Sequence, residues 1–176
     1  LQNAKQLTDY CFEHFYDPKN HFFAFTSTLD AALITQHYET EDNVISASNS
    51  VMANNLYKLS IYYNHSYYET VCLKMLQTII PAIDYPSAFA NWLNVFLNYA
   101  SQNKELAICG TDAKKYSSKI NEHYLPNIIL AGAEKKSELP FLKDRFIEGQ
   151  TLSYVCQNRT CELPESNFEE VLKKFI

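Results

Sequence analysis

A change of character near residue 101 divides the sequence into two parts that cannot be built the same way. Before it stand four basic residues (Lys5, Lys19, Lys58, Lys74) against nine acidic ones, and after it eleven of each. Of the 25 aromatic side chains (13 Tyr, 11 Phe, 1 Trp), 18 fall in the first part. All three glycines (Gly110, Gly132, Gly149) fall in the second. A charge-poor, aromatic-rich stretch followed by a charge-balanced one predicts two differently constructed units, residues 1–101 and 102–176, joined through Ser101-Gln102-Asn103-Lys104. The net charge of −5 belongs wholly to the first of them.

Hydrophobic spacing predicts a chain of mixed α and β character, mainly helical. Residues 2–16 place Ala4, Leu7, Cys11 and Phe15 on one helical face before Asp17-Pro18-Lys19-Asn20 ends it. A short β-hairpin at about 22–37 is expected from Phe22–Thr26 and Leu33–His37. Residues 51–63 resume helical spacing through Met52, Leu56, Leu59 and Tyr63, with Ser50 as N-cap. Ser66 with Glu69 reads as a capping box ahead of Cys72, Met75, Leu76, Ile79 and Ile83, and Pro81, late in that helix, should kink or end it. A fourth helix presents Phe89, Trp92, Leu93, Phe96, Leu97 and Ala100. The second part alternates strand (105–109), helix (113–124), strand (127–131), a charged segment, strand (151–156) and a helix capped by Ser166 with Glu169. That order predicts a small α/β unit with a parallel pair of strands.

Composition excludes several classes. No run of about 18 apolar residues exists, so no membrane-spanning helix is expected. An acidic balance argues against nucleic acid as partner. Widely separated glycines exclude a glycine-rich phosphate loop. Five cysteines, an odd number in a core-rich chain, do not form a secreted disulfide framework and favour the cytoplasm. The chain opens on Leu1, with neither an initiator methionine nor a signal peptide, which suits a piece of a longer protein. No metal-ligand spacing and no cofactor motif stands out.

Two places carry chemistry. His37-Tyr38-Glu39-Thr40-Glu41-Asp42-Asn43, followed by Ser46–Ser50, sets acids, an imidazole and amides before a helix start. Such a segment suits sugar binding or general acid–base catalysis, with Glu39, Glu41 and Asp42 as candidate acids or bases and His37, Asn49 and Ser50 as substrate ligands. The plainer reading is a solvated loop with an N-cap. Cys156-Gln157-Asn158-Arg159-Thr160-Cys161 places two thiols either side of a four-residue turn, within reach of a disulfide. A structural pair, a redox pair and half a metal site all remain open, although the spacing departs from C-x-x-C and no second ligand pair lies near. Gly110-Thr111-Asp112 is a weaker candidate for anion binding.

Five stretches together carry a family resemblance. They are Phe23-Ala24-Phe25-Thr26, Asp42 through Val51, Tyr85-Pro86-Ser87-Ala88-Phe89, Leu106 through Gly110, and Tyr154-Val155-Cys156-Gln157-Asn158-Arg159-Thr160-Cys161-Glu162-Leu163-Pro164. The chain resembles the C-terminal region of the thioredoxin-domain-containing family that includes spermatogenesis-associated protein 20. The family's Pro-Ser-Gly-Asn-Ser loop is kept only at Asn49 and Ser50. The resemblance implies partial (α/α) toroid helices, similar to N-acylglucosamine 2-epimerases, followed by the α/β unit. It implies as partner the remainder of a longer chain, including a thioredoxin-like domain, with residues 36–50 at the toroid mouth. The expected function is therefore a structural or interaction module without a complete active site. The alternative is a carbohydrate-active isomerase or hydrolase acting on a small sugar through the 39–42 carboxylates. Helical stripes left without partners predict a homo-oligomer of the isolated chain.

Overall fold

The structure, a computed structural model, describes every residue except Ala32, Leu33, Gln102 and Ile176. Six α-helices and two small sheets are present among the described residues. They form two compact units: Leu1–Ser60 with His65–Leu97, and Ile61–Asn64 with Asn98–Ile176. No helix among the described residues is long and apolar enough to cross a membrane.

The first unit opens with α1 (Gln2–His14). Its inward side is not the one that apolar spacing suggests: Thr8 is buried, whereas Leu7 is 67% exposed. Tyr68 explains the rotation. Its ring stacks on Phe12, its hydroxyl donates to Asp9, and Lys5 lies over its face. One aromatic with a polar tip thus recruits the Lys5, Asp9 and Phe12 side of the helix.

The hairpin forms from other strands than expected. Strand β1 (Tyr16–Asp17) pairs antiparallel with β2 (Phe22–Phe23), and Ile34–His37 is not strand, while Leu33 lies outside the described residues. One backbone bond does join the two segments expected to pair, from the Phe25 N–H to the His37 carbonyl at 2.8 Å. The shorter loop needs less closure entropy, and Asp17 stabilises it directly. Its carboxylate accepts the Lys19 N–H at 2.8 Å, the Asn20 amide at 2.7 Å and the Tyr38 hydroxyl at 2.5 Å. What reads in sequence as a helix stop is also a turn built on one aspartate.

The Tyr38 hydroxyl, helped by the Lys19 N–H, holds the Asp17 carboxyl down at about 2, against an ordinary 3.8. A depressed carboxyl stabilises the fold fully above the unfolded pKa, and that contribution disappears as pH falls through 4 toward 2. Tyr38→Phe should therefore weaken the chain at pH 5.5 but hardly at pH 2. Because the carboxylate faces solvent, the difference should stay below about 1 kcal/mol. Urea midpoints at the two pH values check this, and an equal loss at both would remove Asp17 as the cause.

Helix α2 (Ser48–Tyr62) starts three residues ahead of expectation and buries Ala53, Leu56, Tyr57, Leu59 and Ser60. Its small side chains admit α3 (Ser66–Ile79), whose Cys72 Sγ lies 3.3 Å from the Ala53 carbonyl oxygen. The α3 cap is His65, not Ser66: its Nδ1 accepts the Tyr68 N–H, and its ring stacks on Tyr68 at 3.9 Å. Pro81 sits in a 3-10 turn, Ile80–Ala82, that follows α3 directly, as its missing N–H requires. A second such turn, Pro86–Phe89, leads into α4 (Ala90–Ala100). Phe89, Trp92 and Val95 are buried, while Phe96 and Leu97 remain nearly half exposed.

The second unit is a mixed four-stranded sheet in the order β4-β3-β5-β6. Strand β3 (Lys104–Cys109) runs parallel to β4 (Ile128–Ala133), with α5 (Ala113–Ile120) in the connection, and antiparallel to β5 (Leu152–Gln157). Alternation along β3 assigns its two faces. Leu106 and Ile108 join Ala113, Ile120, Val155, Phe168 and Val171. Ala107 and Cys109 join Phe141 and Leu142, with Tyr62 packed against them. Each fully buried Leu or Ile is worth about 1.5–3 kcal/mol, so covering both faces of the central strand supplies much of this unit's stability. Strand β6 (Thr160–Cys161) closes a two-residue hairpin on Asn158 and Arg159, both at positive φ. Helix α6 (Phe168–Lys173) is capped by Asn167, whose side chain accepts the Glu169 N–H, rather than by Ser166.

Candidate functional site

The 37–50 segment brings most of its polar residues together, and each bond has a visible purpose. A new helix leaves its first N–H groups without partners, and no Ser, Thr, Asp or Asn precedes α2 at the capping position, where Ala47 stands. Two carboxylates from upstream supply what is missing. Glu39 Oε2 accepts the Ser48 N–H at 3.0 Å, and that bond holds the Glu39 carboxyl below its ordinary pKa. Asp42 Oδ1 accepts the Ala47 N–H at 3.0 Å and the Ser50 hydroxyl at 2.6 Å. The other Asp42 oxygen accepts the Asn91 N–H at 2.9 Å, in the first turn of α4. The Asn91 side-chain amide adds a longer bond to Oδ1 at 3.4 Å. One carboxylate therefore ties the starts of two helices.

Asn49 and Ser50 are fully buried. The Asn49 side chain accepts the Phe23 N–H at 2.7 Å and donates to the carbonyls of Phe23 (2.9 Å) and Glu39 (3.0 Å). It pairs with Phe23 as another strand's peptide group would, and at the same time anchors the loop. Ser50 donates to Asp42 and to the Ala47 carbonyl. Trp92 Nε1 donates to the Thr40 carbonyl at 2.7 Å, so the loop is held on its far side as well. His37 is exposed, with its ring 6.2 Å from that of Phe25. Glu41 is exposed and makes no side-chain hydrogen bond among the described residues. Asn91 and Trp92 complete this cluster from about fifty residues downstream. No spacing rule in the sequence connects them to it.

The second candidate lies in the other unit. Cys156 and Cys161 are register partners across the β5–β6 hairpin and are joined by a disulfide, with Cα atoms 3.9 Å apart. Two residues turn the chain rather than four, because Gln157 and Thr160 also pair. Arg145 is the residue that sequence reasoning missed. Its Nη1 donates toward Cys156 Sγ at 3.4 Å and its Nη2 toward Cys161 Sγ at 3.3 Å. The guanidinium lies 5.2 Å from the ring centres of both Phe141 and Tyr154. The Tyr154 hydroxyl donates to the Arg145 carbonyl at 2.9 Å. Among the described residues no group of three or more His, Cys, Asp and Glu gathers as a metal-ligand set.

Gly110-Thr111-Asp112 forms the tight passage from β3 into α5, and the Asp112 N–H donates to the Thr151 hydroxyl at 3.1 Å. One amide that an anion would need is thus already engaged.

No protein-family model matches the chain. It is 28% identical, over 93% of its length, to spermatogenesis-associated protein 20 of Homo sapiens, and 27% identical over the same share to the Mus musculus protein of that name. The match covers 22% of each, so the chain spans about a fifth of the length of the curated relatives it matches. The resemblance read from the five sequence stretches points to the same protein.

Proposed function

We propose that this chain is a structural and interaction module, the C-terminal part of a longer protein, and that its 37–50 loop sets helix positions rather than performing acid–base chemistry. One observation carries the reading: the Asp42 carboxylate accepts four hydrogen bonds, from Ala47, Ser50 and both nitrogens of Asn91. Both oxygens of that carboxylate are engaged in joining the starts of α2 and α4, which is the work of a structural tie. Glu39 is bound to the start of α2 in the same way. The similarity to spermatogenesis-associated protein 20 supports a first unit made of toroid helices and a partner that is the rest of that longer chain, a thioredoxin-like domain included. Exposed Phe96 and Leu97 support the same view, and in isolation they favour self-association.

The sugar isomerase or hydrolase reading now rests on Glu41, the exposed carboxylate of the three that makes no side-chain hydrogen bond among the described residues. A single experiment separates the two. Asp42→Asn, which removes the charge and one acceptor, should cost about 2 kcal/mol in urea unfolding. Glu41→Gln should leave stability unchanged, and the unsubstituted chain should neither bind nor turn over any member of a broad sugar panel. Turnover that Glu41→Gln abolishes would replace the module with the enzyme.

A further inference from the structure

We propose that Cys156 and Cys161 form a thiol–disulfide exchange site, with a dithiol as co-substrate and Arg145 as the group that receives the thiolates. This goes beyond the module reading and does not depend on it. Disulfide sulfur is a weak acceptor, so a guanidinium aimed at both sulfurs gains little from the oxidised pair. It is matched instead to anions that exist only after reduction, and positive charge beside a cysteine is what favours its thiolate. Arg145 is also held in advance: Phe141 and Tyr154 lie beside its guanidinium, and its carbonyl accepts the Tyr154 hydroxyl. A donor fixed before charge develops is the arrangement that stabilises a charged intermediate most.

The two sulfurs are not equivalent. Cys156 is 1% exposed, whereas Cys161 lies on the exposed outer strand. Cys156 and Cys161 are register partners on the same face of the hairpin, so the exposed Cys161 side is where an incoming thiol meets the pair. The first thiolate of the dithiol attacks Cys161 Sγ. A mixed disulfide forms there, the Cys156–Cys161 bond breaks, and its electron pair leaves on Cys156 Sγ, facing Arg145 Nη1. The second thiolate of the reagent then attacks the reagent sulfur of the mixed disulfide and expels the Cys161 thiolate, facing Nη2. The dithiol is oxidised to its disulfide and the protein pair is reduced by two electrons. The two protons lost by the reagent go to the protein thiolates or to solvent, according to pH. A leaving thiolate of lowered basicity departs faster, so Arg145 accelerates the first step.

The test follows reduction of the folded chain by dithiothreitol, with samples quenched by alkylation and weighed by mass spectrometry. Arg145→Gln should slow reduction about tenfold and move the pH profile for alkylation of the reduced Cys156 upward by about one unit. Arg145→Lys, which keeps the charge, should restore most of both. Equal rates and profiles in the native chain and Arg145→Gln would overturn the role of Arg145. A disulfide that yields only after unfolding would overturn the site. Direction of attack is tested with glutathione disulfide and peptide mapping. Cys156→Ser should take up glutathione at Cys161 at least ten times faster than Cys161→Ser does at Cys156, and the reverse order would overturn the proposed attack. The serine variants and the lysine variant keep the test decisive if Arg145→Gln does not fold.

Discussion

Asn49→Ala is expected to cost the folded chain about 3 kcal/mol. Asn49 is completely buried and makes three side-chain hydrogen bonds, to both backbone groups of Phe23 and to the Glu39 carbonyl. Removing the amide leaves both backbone groups of Phe23 without that partner, each at about 1 kcal/mol or more, and leaves the Glu39 carbonyl only the longer bond from the Asn49 N–H at 3.4 Å. Alanine is the better helix former by about 0.5 kcal/mol in this first turn of α2, which offsets only a small part. Asn49→Asp should be at least as damaging. It keeps an acceptor for Phe23, loses both donations, and sets a carboxylate against two carbonyl oxygens. With a urea slope of about 2 kcal/mol/M, a loss of 3 kcal/mol moves the midpoint down by about 1.5 M. A shift under about 0.5 M would mean that Asn49 does not hold the loop, and the scaffold reading of residues 37–50 would fail with it.

A second large effect is expected at Gly110→Ala. Gly110 stands at φ +138, where β3 turns toward α5, and its N–H donates to the Ala133 carbonyl at 2.9 Å. A Cβ there would lie 2.2 Å from the Gln150 carbonyl oxygen and 2.5 Å from the Thr151 Cα. Both are backbone atoms, so no side chain can rotate away. Either the start of β5 moves or the β3–β5 register is lost, and a loss of at least about 3 kcal/mol follows. Gly149→Ala is the control. Its φ is also positive (+77), but nothing lies within 4 Å of the added carbon, so about 1 kcal/mol is expected. Comparable losses at the two sites would show that conformation alone matters and that the approach of Gln150 does not.

Legibility in the sequence followed how local the responsible forces are. The strands of the second unit were readable because β3, β4 and β5 are apolar runs bounded by turn residues. Helix extents were readable within a few residues, since α3 ends where Pro81 demands and α4 follows Pro86. Helix faces were less so. The inward side of α1 differs from the apolar spacing because Asp9 and Phe12 meet Tyr68, nearly sixty residues away. Caps were misplaced by one residue at His65 and Asn167, where several polar residues in a row compete and the backbone angle decides. At the candidate site, the sequence placed acids and amides before α2. Whether Asp42 is a base or a cap depends on Asn91, and spacing says nothing of Asn91.

The sequence by itself determined that the chain is built as two kinds of structure, with a helical, aromatic part preceding an α/β part. Hydrophobic periodicity and turn chemistry act between near neighbours and need no further information. It also determined that Cys156 and Cys161 face one another, because a short hairpin is a local object. Only the tertiary structure decided what these groups are for. Hydrogen-bond capacity and electrostatic environment depend on which side chains arrive from elsewhere: Asn91 and Trp92 at the loop, Arg145 at the disulfide. Charge is felt over a few ångströms of space, whatever the distance along the chain.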